Sequence, residues 1–381
     1  MMPLKSLPCL FVPTVAAPKC RTGPVQSADT TKEGKSSKDQ RNSKEGVMRV
    51  AVDAMGGDFG PKIMVEGALK ASREYKIDIC LVGAEDVIRK EIGHSSPLGS
   101  NVEIINAAEA IDMGEGLLSF RRKKRSSIRV GTQLVKDGKA DAFVSTGNTA
   151  AVVYISRKVM GHLQGIEKPA LSLLVPTLKG LTLLVDVGAN VNCRPYDLHQ
   201  FAVMGHIFMK NVCQIANPRV ALMSIGEEET KGNDLIKDVF ERLQASPLNF
   251  IGNVEGKDIY SGNADVIVSD GFTGNVALKV SEGVVETVLS MAKTEVMRNF
   301  FSKIGFFLMK RNLKKLYKRL HYAEYGGAPL LGLKGVCVIG HGRSNSNAVK
   351  NAIRLAKDFV ASHAIEKIQH EMVGFSQRLV V

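Results

Sequence analysis

The feature that most constrains this chain is a unit that occurs five times. Each copy is a short apolar run, a tight loop rich in Gly, Asn and Asp, and then a helical pattern. The clearest copy begins at Leu181. The run Leu181 to Val185 is too short for a helix and suits a buried strand. It breaks into Asp186-Val187-Gly188-Ala189-Asn190, and Pro195 opens a periodic segment carried by Leu198, Phe201, Ala202 and Met204. Phe143-Val144 leads likewise into Ser145-Thr146-Gly147-Asn148-Thr149. Residues 220–223 lead into Ser224-Ile225-Gly226-Glu227-Glu228, with Lys231-Gly232-Asn233 beyond. Residues 266–268 lead into Ser269-Asp270-Gly271-Phe272-Thr273-Gly274-Asn275, and residues 336–339 into Gly340-His341-Gly342-Arg343-Ser344-Asn345. Such a series predicts an α/β fold. In open α/β sheets these loops gather at the carboxyl ends of the strands, where ligands bind, so one crevice lined by all five is expected.

Other segments fill in the plan. Residues 49–52 form a predicted strand ending in Asp53-Ala54-Met55-Gly56-Gly57-Asp58, and Pro61 fits the first turn of the next helix. Residues 77–82 and 102–105 read as further strands. Residues 171–175 and 181–185 flank a Gly-containing connection that suits a hairpin, so the sheet is expected to be mixed and mostly parallel. Residues 113–128 read as irregular. Residues 276–292 read as a helix, and residues 348–371 as one long terminal helix.

Composition narrows the function classes. Apolar residues make up 44% of the 381, enough for a substantial core. Cys9, Cys20, Cys80, Cys193, Cys213 and Cys337 are scattered without a C-x-x-C pair, which gives no zinc signature and suits a reducing cytoplasm. The longest apolar runs fall short of the roughly 18 residues a membrane span needs, so no transmembrane helix is expected. The net charge of +13 is uneven: residues 1–47 carry eight basic against four acidic residues, and residues 293–321 carry nine basic residues against Glu295. These two segments supply nearly all of it, leaving the body close to neutral. Basic residues interleaved with aromatics along one face are lacking there, which argues against nucleic acid as a partner. Residues 1–47, rich in Pro, Ser and Lys, read as a disordered extension, and residues 48–381 as the catalytic α/β domain. Pro8, Pro13 and Lys19 disfavour a secretory signal.

The loops suit an anionic ligand. Gly permits close backbone approach, and each following helix offers unpaired N–H groups. Candidate contacts for phosphate or an acyl substrate are Gly57, Asp58, Ser145, Asn148, Thr149, Asp186, Asn190, Asn233, His341 and Asn345. Neither G-x-x-x-x-G-K-[ST] nor a G-x-G-x-x-G after the first strand occurs, so nucleotide binding is not indicated and no cofactor is expected. Asp53, Asp58, Asp186 and Asp270 could ligate a metal, but no spacing among them demands one. Lys231, beside three Glu, reads either as a surface ion pair or as a cation at the crevice that holds phosphate or an oxyanion. His341 reads as a polar contact rather than a proton shuttle. Ser145 lacks the G-x-S-x-G elbow and reads as a helix cap. The run Arg121-Arg122-Lys123-Lys124-Arg125 is either a solvated charge run or a docking patch for an acidic partner.

Taken together, Asp53 to Asp58, Asp186 to Asn190, Gly226 through Lys231-Gly232-Asn233, Asn249-Phe250-Ile251-Gly252-Asn253-Val254-Glu255-Gly256, Asp270 to Asn275, Tyr325-Gly326-Gly327-Ala328-Pro329-Leu330-Leu331-Gly332 and His341 to Asn345 resemble the bacterial acyl-(acyl carrier protein):phosphate acyltransferases of phospholipid synthesis. The motifs run in order from Met48 to about Glu371. The resemblance implies a three-layer, isocitrate/isopropylmalate dehydrogenase-like α/β/α fold. It implies transfer of an acyl group from acyl carrier protein to inorganic phosphate. It also implies a homodimer in the cytoplasm, peripherally associated with the inner membrane, that hands acyl phosphate to a glycerol-3-phosphate acyltransferase. Ala150 stands where the family usually has Gly, which bears on room for the acyl chain. The basic segment is unusually aromatic, and residues 1–47 have no counterpart in the family.

In such a reaction phosphate is already an anion, so positioning and charge neutralisation matter more than a strong base. Lys231 and Asn275 are the expected catalytic donors, with Asn148, Asn190 and backbone N–H groups holding phosphate. Residues 293–321 read as a basic amphipathic helical hairpin with residues 306–309 following Gly305 at its tip. Phe306 and Phe307, with Lys310, Arg311 and Lys314, are expected to meet an anionic membrane surface, and Arg121, Arg122 and Lys123 the carrier protein. Rival readings are a CoA-dependent phosphate acetyl- or butyryltransferase, a metal-dependent hydroxyacid dehydrogenase, and a non-enzymatic membrane adaptor.

Overall fold

The computed structural model describes residues 47–93, 100–320 and 324–378; residues 1–46 of the expected extension lie outside them. The first half runs β1 (Arg49–Asp53), α1 (Gly60–Tyr75), β2 (Asp78–Gly83), α2 (Glu85–Gly93), β3 (Val102–Asn106), α3 (Leu117–Arg122), α4 (Ser127–Lys136), β4 (Ala142–Ser145), α5 (Thr149–Met160), β5 (Ala170–Pro176) and β6 (Leu181–Val185). There follow α6 (Pro195–Asn211), β7 (Val220–Met223), α7 (Asp234–Gln244), β8 (Phe250–Val254), a 3-10 turn (Gly256–Tyr260), β9 (Val266–Val268), α8 (Gly271–Met297), α9 (Phe300–Leu320), β10 (Ala328–Leu331), β11 (Val336–Ile339), α10 (Ser346–Ala361) and α11 (Ala364–Arg378).

The strands form one sheet in the order β3-β2-β1-β4-β11-β10-β5-β6-β9-β7-β8. Side chains alternate across it, as the two-residue period of a strand requires. Val50 and Val52 enter one core and Ala51 the other; Leu183 and Val185 enter the first and Leu184 the second. Helices α1, α2, α6, α7, α10 and α11 cover the first face, and α3, α4, α5 and the start of α8 the second, giving three layers. Both faces of most strands are thus buried, which is why they read as continuous apolar runs. Helix α6 is the deepest element, with Phe201, Met204 and Phe208 sealed from solvent. Its Gly205 lets it lie against the sheet, where a Cβ would fall 2.7 Å from Val266 Cγ1.

Strand direction divides the five loops between the two ends of the sheet. Strands β1, β2, β3, β4 and β11 run parallel. Strand β10 pairs antiparallel with both β11 and β5, and β5 pairs antiparallel with β6. After these reversals β6, β9, β7 and β8 run parallel to one another and against the first group. The loops after β1, β4 and β11 therefore lie at one edge of the sheet, and those after β6, β7 and β9 at the opposite edge. The β5–β6 hairpin was legible from the sequence. Strand β10, hidden in the Gly-rich run before residue 332, was not, and it supplies the remaining reversals.

Three smaller expectations also change. The terminal helix is two, because His363 takes a positive φ of 51° between α10 and α11. Helix α9 runs straight through Gly305, so residues 306–309 lie within a helix; the break from α8 falls at Arg298-Asn299, where Asn299 Oδ1 accepts from Ser302 N at 2.9 Å. The stretch read as irregular contains α3.

Helix α8 starts almost on top of the loop after β6. A Cβ at Gly274 would fall 1.9 Å from the carbonyl oxygen of Asp186, and one at Gly271 2.6 Å from that of Asn190. Gly274→Ala should lower Tm by roughly 5 °C or more, since backbone cannot yield as a side chain can. Gly283→Ala, on the same helix with nothing within 4 Å, should not. Thermal unfolding checks both, and an unchanged Tm for Gly274→Ala would refute the close packing.

Candidate active site

At the first edge a buried carboxylate ties the loops together. Asp53 ends β1, and Oδ2 accepts the Ser145 hydroxyl at 2.7 Å while Oδ1 accepts Met55 N at 3.1 Å. Ser145 Oγ in turn accepts Gly147 N at 3.0 Å. Burial pushes the Asp53 pKa up, and the bonds from Ser145 and Ser127 pull it back. The loops interlock so closely that Cβ atoms at Gly56 and Gly57 would each meet another loop at 2.7 Å. Asp58 N donates to the Gly342 carbonyl at 2.8 Å, which joins the β1 and β11 loops.

The candidate side chains at this edge divide by what they already hold. Asn148 caps α5: its Oδ1 accepts Ala151 N at 3.0 Å, and its Nδ2 faces the carbonyls of Met113, Glu115 and Asp112. Its amide thereby positions the approach to α3, as the Ser145 hydroxyl does its own loop. Asn345 caps α10 through Oδ1, which accepts from Asn347 N and Ala348 N. Thr149 opens α5 at the surface. His341 Nδ1 accepts Arg343 N at 3.1 Å, which requires that nitrogen to be unprotonated. Burial holds its pKa down; Glu282 and Asp58 raise it, while Lys279 and Arg343 lower it.

The second edge is organised by Asp186. Its Oδ1 accepts from Leu171 N, Gly188 N and Ala189 N, and its Oδ2 from Asn190 N and Asn190 Nδ2, all between 2.8 and 3.2 Å. Burial pushes this carboxyl's pKa up, and the donors from residues 188–190 oppose it. Asn190 Nδ2 also donates to Pro169 O at 2.7 Å. Both Asp186 oxygens and the Asn190 Nδ2 are thus committed to shaping the loop. The loop's backbone is committed as well, with Val187 N donating to Leu171 O and the Asn190 carbonyl accepting Gly271 N. Asn275 lies over it, with its Cγ 3.5 Å from where a Cβ of Gly188 would stand, and its own side chain exposed on the first turn of α8. Asp270 caps that helix, accepting Thr273 N at 2.8 Å.

Lys231 follows β7 at this same edge. The expectation of an ion pair with its neighbouring glutamates does not hold. Lys257 takes Glu227 at 3.4 Å, and among the described residues Lys231 Nζ has no carboxylate or hydrogen-bond partner. Its backbone is fixed, with Lys231 N donating to Glu228 O at 3.0 Å, and its stem crosses Gly226. Asn233 caps α7, accepting Ile236 N at 3.0 Å. The sequence reading passed over Asn253, whose Nδ2 donates to the same Glu228 carbonyl at 3.0 Å; a lone amide beside Gly252 in an apolar strand was the available signal.

Helix α8 joins the two edges. It begins beside Asp186 and passes Arg343, whose Nη1 lies 3.6 Å from Glu286 Oε1. At about 1.5 Å per residue, Asn275 is roughly 10 Å along the axis from Glu282, which faces His341.

Two expected contact surfaces can be placed on the structure. Lys123 Nζ is held by Glu115 at 2.5 Å and by Ala110 O, and Arg121 Nε donates to the Tyr154 hydroxyl at 3.1 Å. The Asp112 backbone first, and Lys123 next, pull the Glu115 carboxyl down to about 2, while Arg125 meets Glu109 through its backbone N, so that Arg122, Lys124 and Arg125 carry the exposed cations of the run. In α9, Phe306, Phe307, Lys310 and Arg311 are exposed; the side chain of Lys314 lies outside the described residues.

Comparison with known proteins accords with this geometry. A family profile described as "Fatty acid synthesis protein" matches residues 48–367. A phosphate acyltransferase from Pelotomaculum thermopropionicum is 47% identical over 323 residues, covering 84% of this chain and 94% of that protein. One from Heliobacterium modesticaldum is 48% identical, covering 86% and 98%. Among solved structures, a phosphotransacetylase from Streptococcus pyogenes superposes with a TM-score of 0.56 at 18% identity, covering 84% of this chain and 94% of that one, which shows a shared fold. A phosphotransacetylase from Staphylococcus aureus gives 0.53 at 15%, covering 82% and 94%. The chain is an acyltransferase, and it belongs to the phosphate acyltransferase family.

Proposed function

We propose that the protein transfers a fatty acyl group from acyl-(acyl carrier protein) to inorganic phosphate, giving acyl phosphate for phospholipid synthesis. The observation that supports this is the Lys231 ammonium, unpaired among the described residues at an edge where the exposed Asn275 side chain also lies. A phosphate oxygen attacks the thioester carbonyl, the C–O bond forms, and negative charge moves to the carbonyl oxygen. Collapse of that intermediate breaks the C–S bond and releases the carrier thiolate, which takes a proton from water. Lys231 and Asn275 donate to the developing oxyanion, the largest single term in reactions of this kind. The Lys231 ammonium and the exposed Asn275 amide also draw phosphate to this edge. No general base is needed, in keeping with a His341 whose Nδ1 is already an acceptor. Gly57, Asp58, Thr149, His341 and Asn345, at the other edge and linked through α8, contact the acyl donor. Asn233 contributes its outward amide beside Lys231.

The surfaces suit the partners such a reaction needs. Arg122 and Lys124 offer cations to an acidic carrier protein, which would favour its thioester over that of CoA. Val276, Val280, Val284 and Val288 are exposed at four-residue spacing on α8, a face that a second protomer would cover. On α9, Phe300, Phe301, Phe307 and Leu308 are 71%, 83%, 72% and 75% exposed beside Lys303, Lys310 and Arg311. No helix among the described residues is long and apolar enough to cross a membrane. An interfacial helix drawn to anionic lipid fits this pattern, and it places the product where a glycerol-3-phosphate acyltransferase could receive it.

Lys231→Ala and Asn275→Ala should each lower kcat by a factor on the order of 10² with an unchanged Tm. Near-normal turnover in Lys231→Ala would discard the assignment. Phe306→Asp combined with Phe307→Asp should abolish sedimentation with anionic vesicles while turnover in solution persists. Retained vesicle binding, or loss of the dimer instead, would assign the segment to contact between protomers.

A further inference from the structure

We propose that Asn253 is a positioning residue that sets Lys231 for the reaction, an inference that rests on the role given to Lys231 above. Asn253 lies on β8 and is only 5% exposed. In the β7–β8 register Leu222 faces Asn253 and Met223 faces Val254. Side chains alternate along a strand, so Asn253 and Ser224 share one face, beneath the loop that carries Lys231.

A single carbonyl connects the amide to the lysine. Asn253 Nδ2 donates to Glu228 O at 3.0 Å, and that oxygen also accepts Lys231 N at 3.0 Å. The turn from Glu228 to Lys231 is thereby pinned to the sheet at the atom that sets the lysine backbone. Gly226 closes the other side, since a Cβ there would fall 2.9 Å from Lys231 Cγ and 2.9 Å from Glu228 Oε2. The ammonium is left at the end of a stem whose root is held from below by Asn253 and alongside by Gly226.

The rest of the Asn253 amide argues against a purely structural reason for it. Among the described residues its Oδ1 is buried without a hydrogen-bond partner, and so is Ser224 Oγ. An unpaired buried acceptor destabilises a fold, and an aliphatic side chain of similar size would avoid that cost. The bond donated to Glu228 is the interaction that an aliphatic residue could not make.

The test uses the full chain with Asn253→Leu and Asn253→Ala, each alone and combined with Lys231→Ala. Each leaves Glu228 O held by Lys231 N only. The expected result is a kcat about 10- to 100-fold lower in both single variants, because a small misplacement of a catalytic group has effects of that size. KM for phosphate should stay within about twofold, and adding either change to Lys231→Ala should cost nothing more, as for residues acting as a unit. Asn253→Leu should keep or raise the Tm. Equal fractional losses with and without Lys231, together with a lower Tm in both variants, would overturn the inference. So would full activity in both Asn253 variants beside an inactive Lys231→Ala. A fully active Lys231→Ala would overturn the underlying role of Lys231, and this inference with it.

Discussion

The second edge of the sheet depends on one buried carboxylate. Asp186 receives five N–H donors from four residues, and these wrap the chain after β6 into a loop with its N–H groups turned inward. A buried carboxylate without such donors would be strongly disfavoured. With them it fixes the surface on which Gly271 and Gly274 allow α8 to sit backbone against backbone. That contact places Asn275 over Gly188 and sends α8 toward the opposite edge. A loop organised from within spends its own polar side chains on itself, so the groups left for substrate are few.

Scarcity is what distinguishes Lys231. Most cations near the loops are committed: Lys168 to Asp197 at 2.8 Å, Arg219 to Asp265 at 2.9 Å, Lys257 to Glu255 at 3.1 Å. Lys231 sits among three glutamates, and its ammonium pairs with none of them. An unpaired ammonium beside helix N-termini can serve an anion, since its charge is not already cancelled. The first edge has the same construction around Asp53 and Ser145. It presents cap residues and His341, whose pKa burial holds down.

Much of the fold was legible because it follows from local pattern. The run at Leu181, Pro195 at the start of α6 and the hairpin between β5 and β6 all carry their own signals. What was not legible is non-local. Strand direction across the sheet depends on β10, a four-residue strand following Gly326 and Gly327, whose pairing with β5 no periodicity reveals. The hydrogen bonds of Asn148 and Asn190 were not legible for a related reason. An amide at a loop suits a ligand or the protein's own carbonyls equally well, and only the positions of Met113 O and Pro169 O decide. Lys123 was drawn inward by Glu115, eight residues away, across a turn that reads as irregular in sequence. The break in the terminal helix rests on one residue, His363, in a conformation that histidine adopts uncommonly.

On the proposed roles of Lys231 and Asn275, the two sheet edges and the helix that joins them suit an acyltransferase working by placement and charge rather than by proton transfer. Its phosphate acyltransferase relatives share nearly half their residues with it along the same span. The most direct measurement is acyl phosphate formation by the purified chain from acyl-(acyl carrier protein), with and without inorganic phosphate, and with acyl-CoA as the competing donor. The account predicts acyl phosphate only when phosphate is present, with the carrier thioester consumed faster than the CoA thioester. Carrier consumption that ignores phosphate, or a preference for acyl-CoA, would contradict it.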